Sequence, residues 1–286
     1  MPSANVTSAK VTKLKYTFKS DVLFKLLFVK YPHLLKRLVA VLLGIPIESI
    51  EHFETINTEI PPEEIGKKFC RLDINMIIDG KRVNLEIQVE DEGNYPERSI
   101  FHWARDFSSA LPAGEDYSLL PRTIIISILG FKLFPCEEMH SEYRPLEITR
   151  HTPLTDKMRL LYFELPKLPG IDLIDPNNEK DLWLALFNAE TEEEMAIIER
   201  LGVPVMNQAV EAYRSVSATD EFKYLEQLRA KARHDEAQAL RNAEKIEREK
   251  WQSVVADKDA AIADKDAAIA DKDAIIAELR AKLGET

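Results

Sequence analysis

The chain has 286 residues, of which 45% are apolar, and it carries a formal net charge of −11. This length accommodates one sizeable globular domain plus an appendage, or two small domains. No stretch approaches the roughly 20 apolar residues of a membrane span, and the N-terminus has no apolar signal core, so we predict a cytoplasmic protein without membrane association. The two cysteines, Cys70 and Cys136, are too few for a disulfide framework and are predicted to be small buried side chains.

The excess of acidic residues counts against a nucleic-acid partner, because proteins that bind phosphate backbones usually present a basic face. The charge is uneven, however. Acidic residues concentrate in 137–200 and in the C-terminal tail, whereas the first 40 residues are rich in lysine. Net charge bears on solubility and association rates more than on fold, so the composition weakens a DNA-binding hypothesis without excluding it.

The N-terminal part of the chain is predicted to be helical. Residues 21–43 carry apolar side chains at helical spacing. Ser20 or Asp21 is suited to cap the start of this segment, and Gly44 is suited to end it. Because proline interrupts helical hydrogen bonding, Pro32 is expected to divide the segment into two helices.

The middle of the chain alternates between strand and helix patterns. Alternating apolar residues flank Asp79-Gly80, a dipeptide typical of a two-residue hairpin turn. RTIIISIL is a continuous β-branched run, typical of a buried strand. In chain order we predict strands over 50–60, 71–78 and 81–90, a helix over 97–111, strands over 122–129 and 158–165, and helices from Asp181 to about Lys250.

The tail, residues 252–286, contains a seven-residue repeat in which VADKDAA, IADKDAA and IADKDAI follow one another. Its alanines alternate between four-residue and three-residue spacing, which is typical of a small-residue coiled-coil seam. The repeat predicts a long helix that joins protomers into a homo-oligomer. A solvated single helix is the alternative, because an alanine seam buries little area. The seam consists of Ala256, Ala260, Ala263, Ala267, Ala270, Ala274, Ala277 and Ala281.

The hairpin over residues 71–90, RLDINMIIDGKRVNLEIQVE, determines which polar side chains face one another. If Ile78 pairs with Lys81 across the turn, Asp73 lies directly opposite Glu86. The other face of both strands is apolar, and this fixes the register because a slip of one residue would misalign the two apolar sets. The remaining pairs on the polar face are Arg71 with Gln88 and Asn75 with Asn84.

This register brings two carboxylates together, with the Cβ atoms of Asp73 and Glu86 about 5 Å apart. Like charges so placed repel each other unless a cation lies between them. Mg²⁺ commonly binds through one or two carboxylates and retains several waters, and such a site can acidify a water and polarise a phosphoryl oxygen. The alternative is a solvated strand face on which Asp73 pairs with Arg71 or Arg82 and Glu86 pairs with a lysine.

The same residues resemble a known family. An Asp, a hairpin and then Glu-x-Lys or Glu-x-Gln form the core signature of PD-(D/E)XK nucleases, and they stand here as Asp73 and Glu86-Ile87-Gln88. More specifically, about residues 20–215 resemble the Rpn family of recombination-promoting nucleases and transposases. The blocks that carry this resemblance are DVLFKLLF at 21–28, the hairpin, PERSIFHWARDF at 96–107, GEDYSLLPRTIIISILGFKLFP at 114–135 and LTDKMRLLYFELPKLP at 154–169.

The resemblance implies an α/β fold with a PD-(D/E)XK restriction-endonuclease-like core, in which helices flank a mixed sheet. It implies Mg²⁺-dependent or Mn²⁺-dependent cleavage of DNA, with Asp73 and Glu86 as metal ligands. Gln88 would be the third catalytic residue, at the position where the wider nuclease family usually has Lys. An amide can position water or phosphate, but it supplies no positive charge to the transition state.

Three further residues are candidates for the site. Asp21 and Lys25 lie four residues apart on one helical face, so Asp21 could complete the metal shell and Lys25 could contact a DNA phosphate. The alternative is that Asp21 only caps the helix and Lys25 is its solvated neighbour. Arg98 is a candidate contact to the DNA backbone, with a surface ion pair as the alternative.

Together these features predict a basic lead over 1–19, a nuclease-like domain over 20–215, a charged helical linker over 216–251 and the coiled-coil tail. The first functional hypothesis is a DNA endonuclease linked to recombination or transposition, in which water attacks the phosphodiester in line. The alternative is a catalytically weak or inactive nuclease-fold scaffold assembled through its coiled coil. A third hypothesis is an accessory factor in transposition or defence whose cleavage needs a partner.

Overall fold

A computed structural model describes residues 12–56 and 73–284 of the chain. Within these ranges the chain has an α/β fold, in which helices cover both faces of a mixed β-sheet. Most of the predicted basic lead, the end of the predicted strand over 50–60, Cys70 and Arg71 lie outside the described residues.

The N-terminal segment forms two helices, as predicted: α1 (Asp21–Lys30) and α2 (Pro32–Leu43). Ser20 caps α1, because its side chain accepts a hydrogen bond from the backbone N–H of Leu23. Gly44 ends α2 in the left-handed conformation with φ 68°, which glycine adopts without steric cost.

The sheet contains six strands within the described ranges, in the spatial order β1-β2-β3-β4-β6-β5. The central pairs β3-β4 and β4-β6 are parallel, whereas β1-β2, β2-β3 and β5-β6 are antiparallel, so the sheet is mixed as predicted. The strands are β1 (Phe53–Thr55), β2 (Ile74–Ile78), β3 (Lys81–Gln88), β4 (Thr123–Leu129), β5 (His140–Tyr143) and β6 (Met158–Glu164).

Strand β5 has no counterpart among the sequence predictions. Its four residues, HSEY, include no aliphatic side chain and therefore lack the alternation that identifies longer strands. They form an edge strand because β6 offers antiparallel hydrogen-bonding partners, in a register that pairs His140 with Phe163. This strand depends on its neighbour in the sheet rather than on local sequence.

The remaining helices agree with the predicted positions. The helix expected over 97–111 begins two residues earlier, because Pro96 occupies the first turn, where proline is tolerated. The helical pattern after Asp181 divides into four helices. The bounds are α3 (Tyr95–Ser109), α4 (Glu179–Asn188), α5 (Glu192–Arg200), α6 (Pro204–Ser217) and α7 (Asp220–Leu283).

A different hydrophobic core lies on each face of the sheet. The larger core contains the apolar face of the hairpin, as predicted, together with buried residues of α1, α2 and α4. The smaller core lies under α3 and contains Tyr95, Ile125 and Tyr162. The predicted polar face of the hairpin therefore lies on the α3 side of the sheet, which has the smaller apolar core.

The segment ELPK has a structural role at the end of β6. Glu164 and Lys167 form a buried ion pair with an O–N distance of 2.6 Å, and their side chains are 0% and 3% exposed. Glu164 also accepts hydrogen bonds from the backbone N–H groups of Leu133 and Phe134. The ion pair thus fixes the loop after β4. Cys136 in this loop is exposed, so the prediction that it is buried is wrong.

Helix α7 is continuous over 64 residues. The chain divides into two compact units, of which the first ends at Arg229 and the second begins at Ala230. In the second unit the isoleucines of the repeat, Ile262, Ile269 and Ile276, are exposed on the single chain. The predicted long helix is confirmed, and its self-association stays a prediction. No described helix combines the length and the apolar character that crossing a membrane requires.

Candidate active site

The hairpin has the predicted register. Asp79 and Gly80 both have positive φ angles, 47° and 74°, as a type I′ turn requires. Ile78 pairs with Lys81, Asn75 with Asn84 and Ile74 with Leu85. Asp73 immediately precedes β2, so the next step of this register places it opposite Glu86.

Asp73 is held through both its side chain and its backbone. Its Oδ2 atom accepts hydrogen bonds from the side-chain amides of Asn75, at 3.2 Å, and of Asn84. Its backbone carbonyl accepts a hydrogen bond from Nζ of Lys25, at 2.9 Å. Lys25 is buried. Its hydrogen bond to the Asp73 carbonyl links α1 to the start of β2. Its predicted contact to a DNA phosphate stays a prediction.

Glu86 lies in the interior, with only 8% of the residue exposed. The hydroxyl of Tyr95, at the start of α3, donates a hydrogen bond to Oε1 of Glu86. Burial, followed by the nearby Glu86 charge, raises the pKa of the Tyr95 hydroxyl well above its usual value. Tyr95 therefore keeps its proton and remains a donor to the Glu86 carboxylate.

A row of buried polar side chains continues from Glu86 across the sheet. Glu86 pairs with Ser127 on β4, and Ser127 pairs with Tyr162 on β6. The Tyr162 hydroxyl lies 2.5 Å from Oγ of Ser99 on α3. Sequence reasoning missed this row. The signals that could have indicated it are Ser127, a polar residue inside an apolar run, and the four-residue spacing of Tyr95 and Ser99.

Gln88 is the third predicted catalytic residue, and both the oxygen and the nitrogen of its side-chain amide form hydrogen bonds. Its Oε1 atom accepts a hydrogen bond from Nη2 of Arg98 at 2.5 Å, and its Nε2 atom donates to the backbone carbonyl of Glu90 at 3.0 Å. Arg98 also forms an ion pair with Glu92 at 2.9 Å. The ion pair that was the alternative role for Arg98 is therefore present, and it adjoins Gln88.

The model of the PD-(D/E)XK nuclease family transposases matches residues 18–243, more than three quarters of the chain. The chain belongs to this family. The match includes every predicted site residue and confirms the resemblance drawn from the sequence motifs. No curated protein and no solved structure matches the chain significantly.

The two facing carboxylates are chemically suited to a hard divalent cation. Asp73 and Glu86 supply oxygen donors from adjacent strands, and neutral amide and hydroxyl donors fix one oxygen of each. Mg²⁺ typically takes one or two protein carboxylates and completes its shell with water and phosphate. Among residues 12–56 and 73–284, no cluster of three or more acidic, His or Cys side chains that could hold a metal is found.

Asp21 forms an ion pair in this structure. Its Oδ2 atom accepts a hydrogen bond from Nε of Arg229 at 2.8 Å, and its Oδ1 atom accepts one from the backbone of Val22. Ser20, rather than Asp21, is the N-cap of α1. The alternative that Asp21 caps the helix is thus wrong, and its role as a third metal ligand stays a prediction.

The structure tests one part of the alternative in which Asp73 and Glu86 are ion-paired on a strand face. Arg82, a predicted partner for Asp73, instead forms an ion pair with Asp106 of α3. Arg71, the other predicted partner, lies outside the part of the chain that the structure describes. Tyr95 is one hydrogen-bond donor to Glu86 in this structure.

A cleft of about 310 Å³ opens beside Asp73, between the sheet and α3. Its walls include Asn75, Asn84, His102 and Arg105. These side chains offer amide, imidazole and guanidinium groups, which suit a polar or anionic ligand. The cleft gives Asp73 access to solvent, which the buried Glu86 largely lacks.

Proposed function

We propose that this protein is a divalent-metal-dependent DNA endonuclease that hydrolyses phosphodiester bonds. The observation that carries the proposal is the register of the hairpin, which sets Asp73 opposite Glu86 in a chain of a nuclease family. Like charges that face each other on adjacent strands repel unless a cation lies between them. Two facing carboxylates beside a polar cleft are therefore best explained by catalysis with a bound cation.

Each side chain has a distinct role in this proposal. Asp73 and Glu86 would hold Mg²⁺ or Mn²⁺, and an ion bound there polarises a phosphoryl oxygen and acidifies a water. Asn75 and Asn84 orient Asp73, and Tyr95 orients Glu86. Fixing the ligands in advance lowers the cost of reaching the reactive geometry.

The reaction is a hydrolysis that needs water as its only co-reactant. The water oxygen forms a new bond to phosphorus while the bond from phosphorus to one deoxyribose oxygen breaks. Water loses one proton to solvent, and the leaving oxygen gains one, so the products are a terminal phosphate and a free hydroxyl. Gln88 lies two residues beyond Glu86 on the same face, where its amide contacts Arg98 and the backbone carbonyl of Glu90.

The family description as a transposase supports a role for this activity in DNA recombination or transposition. Such a role requires a DNA partner despite the net charge of −11. The walls of the cleft beside Asp73 carry Arg82 and Arg105 together with Asp73 and Asp106, so their formal charges balance locally although the whole chain is acidic. Local potential at a site matters more for binding than net charge does.

The proposal is tested with the full-length chain and supercoiled plasmid. We expect nicked circles with Mg²⁺ or Mn²⁺, no nicking with EDTA, and at least about a hundredfold slower nicking by Asp73→Asn, since a bound metal supplies several kcal/mol of transition-state stabilisation. Asp172→Asn makes the same chemical change at an exposed position and should nick at the parental rate. An inactive parent, or equal rates for parent and Asp73→Asn, would contradict the proposal and favour an inactive nuclease-fold scaffold.

We also propose that the tail joins protomers, which would suit cutting both strands of one duplex. The alanines of the repeat alternate between four-residue and three-residue spacing on α7, and exposed isoleucines flank them, as in a coiled-coil seam. By light scattering, the full-length protein should have at least twice the chain mass of 32.7 kDa. Removing 252–286 should leave single chains, and an unchanged oligomer would contradict this role.

A further inference from the structure

We propose that Arg98 supplies the positive charge at the reacting phosphate that Gln88 cannot supply, and that Gln88 serves to position Arg98. This inference rests on the proposed nuclease function and assigns a catalytic role to a residue of α3. A neutral amide at position 88 brings no positive charge to the proposed metal site, and Arg82, the basic residue on the same face of β3, is ion-paired with Asp106. The structure provides a guanidinium in direct contact with that amide.

The position of Arg98 is fixed by contacts to three side chains. Its Nη2 atom donates to Gln88, its Nη1 atom donates to Glu92, and its guanidinium carbon lies 4.9 Å from the ring centroid of Tyr95. The Tyr95 hydroxyl in turn donates to Glu86. Gln88, Arg98, Tyr95 and Glu86 thus form one connected group, which ties the cation to a proposed metal ligand.

The setting of Arg98 makes its charge effective. Its side chain is only 12% exposed, whereas its partner Glu92 is 55% exposed. Solvent screens an exposed carboxylate strongly, so Glu92 neutralises Arg98 only weakly. Arginine keeps its charge at every relevant pH, and a charge of low exposure acts on a neighbouring anion through a less polar medium than water.

The contact with Glu92 also indicates what Arg98 can bind. A carboxylate oxygen 2.9 Å from Nη1 has the charge and hydrogen-bonding capacity of a phosphate oxygen. Because Glu92 is exposed, a DNA phosphate can exchange with it at little cost. Each Nη nitrogen of Arg98 carries a second N–H beyond the one that it donates to Glu92 or Gln88, so the guanidinium retains donor capacity for a phosphate.

The test removes the positive charge at position 98 and then introduces one at position 88. Arg98→Gln should lower the nicking rate constant at saturating DNA by about a hundredfold, the typical loss when one transition-state donor is removed. Arg98→Lys, which keeps a charge but loses the planar fork, should retain at least about a tenth of the parental rate. The double variant Gln88→Lys with Arg98→Gln should be at least about tenfold faster than Arg98→Gln, because it returns a cation to the site.

Two further measurements separate catalysis from folding and from simple DNA binding. Melting temperatures of the variants, and DNA affinity measured by fluorescence anisotropy with Ca²⁺, should change little while the rate constant falls. The inference is overturned if Arg98→Gln nicks within about threefold of the parent. It is also overturned if the double variant is no faster than Arg98→Gln. A third contradicting result is a decrease in DNA affinity that accounts for the whole decrease in nicking rate.

Different results would refute the proposed nuclease function and the proposed role of Arg98. A parent that never nicks, or an Asp73→Asn variant as active as the parent, refutes the proposed function, and the role of Arg98 falls with it. A parent that nicks, an Asp73→Asn variant that does not and an unaffected Arg98→Gln variant refute only the role of Arg98. The two failures are therefore distinguishable in one set of assays.

Discussion

Replacing Glu86 with Gln should lower the nicking rate by roughly a thousandfold, because a bound metal contributes several kcal/mol to the transition state. The substitution keeps the shape of the side chain and an oxygen that can accept the Tyr95 hydrogen bond. It removes only the charge that would hold the ion. The rate is measured on supercoiled plasmid over a range of Mg²⁺ and Mn²⁺ concentrations.

Glu97→Gln is the matched control for this prediction. Glu97 is an exposed residue in the first turn of α3, so the same chemical change should leave the nicking rate unaltered. The melting temperature of Glu86→Gln should stay close to that of the parent, since the shape of the side chain and an acceptor for Tyr95 are kept. A Glu86→Gln protein that nicks at the parental rate would remove Glu86 from the active site.

Replacing Lys167 with Met should destabilise the first unit by about 3 kcal/mol, since removing one partner of a buried ion pair leaves an uncompensated charge. Glu164, with 0% exposure, would then keep its hydrogen bonds from Leu133 and Phe134 but lose its cation. For a domain of this size the melting temperature should fall by roughly 6–12 °C, which calorimetry measures.

The surface ion pair between Arg122 and Asp156 provides the control, because both side chains are at least half exposed. Arg122→Gln should cost less than about 1 kcal/mol. Adding Glu164→Gln to Lys167→Met removes the stranded charge and should restore most of the lost stability. If Lys167→Met is no more harmful than Arg122→Gln, the ion pair does not stabilise the loop after β4.

The hairpin could be predicted from the sequence because its determinants are local. Asp79-Gly80 requires two positive φ angles, and the alternation on both sides allows one register that buries the apolar sets together. The pairing of Asp73 with Glu86 follows from that register. The division of the N-terminal helices at Pro32 was predictable for the same reason, since the constraint lies in the residue itself.

Other parts of the site could not be predicted because they depend on tertiary packing. Tyr95 reaches Glu86 only once α3 packs on the sheet, and sequence spacing does not reveal that crossing. The contact between Arg98 and Gln88 likewise joins a helix to a strand. The contact of Lys25 with the Asp73 backbone and the ion pair of Asp21 with Arg229 join segments that lie 48 and 208 residues apart.

The beginning of α7 limits where this protein can be divided. Phe222 and Leu225 are buried in the larger core, and Arg229 pairs with Asp21. A fragment that stops at residue 215 would lose these three side chains together with the end of α6. The first compact unit therefore has to be exchanged, fused or truncated after Arg229, although the repeat that marks the tail begins only near residue 252. A hybrid protein joined before Phe222 would lack part of the larger core.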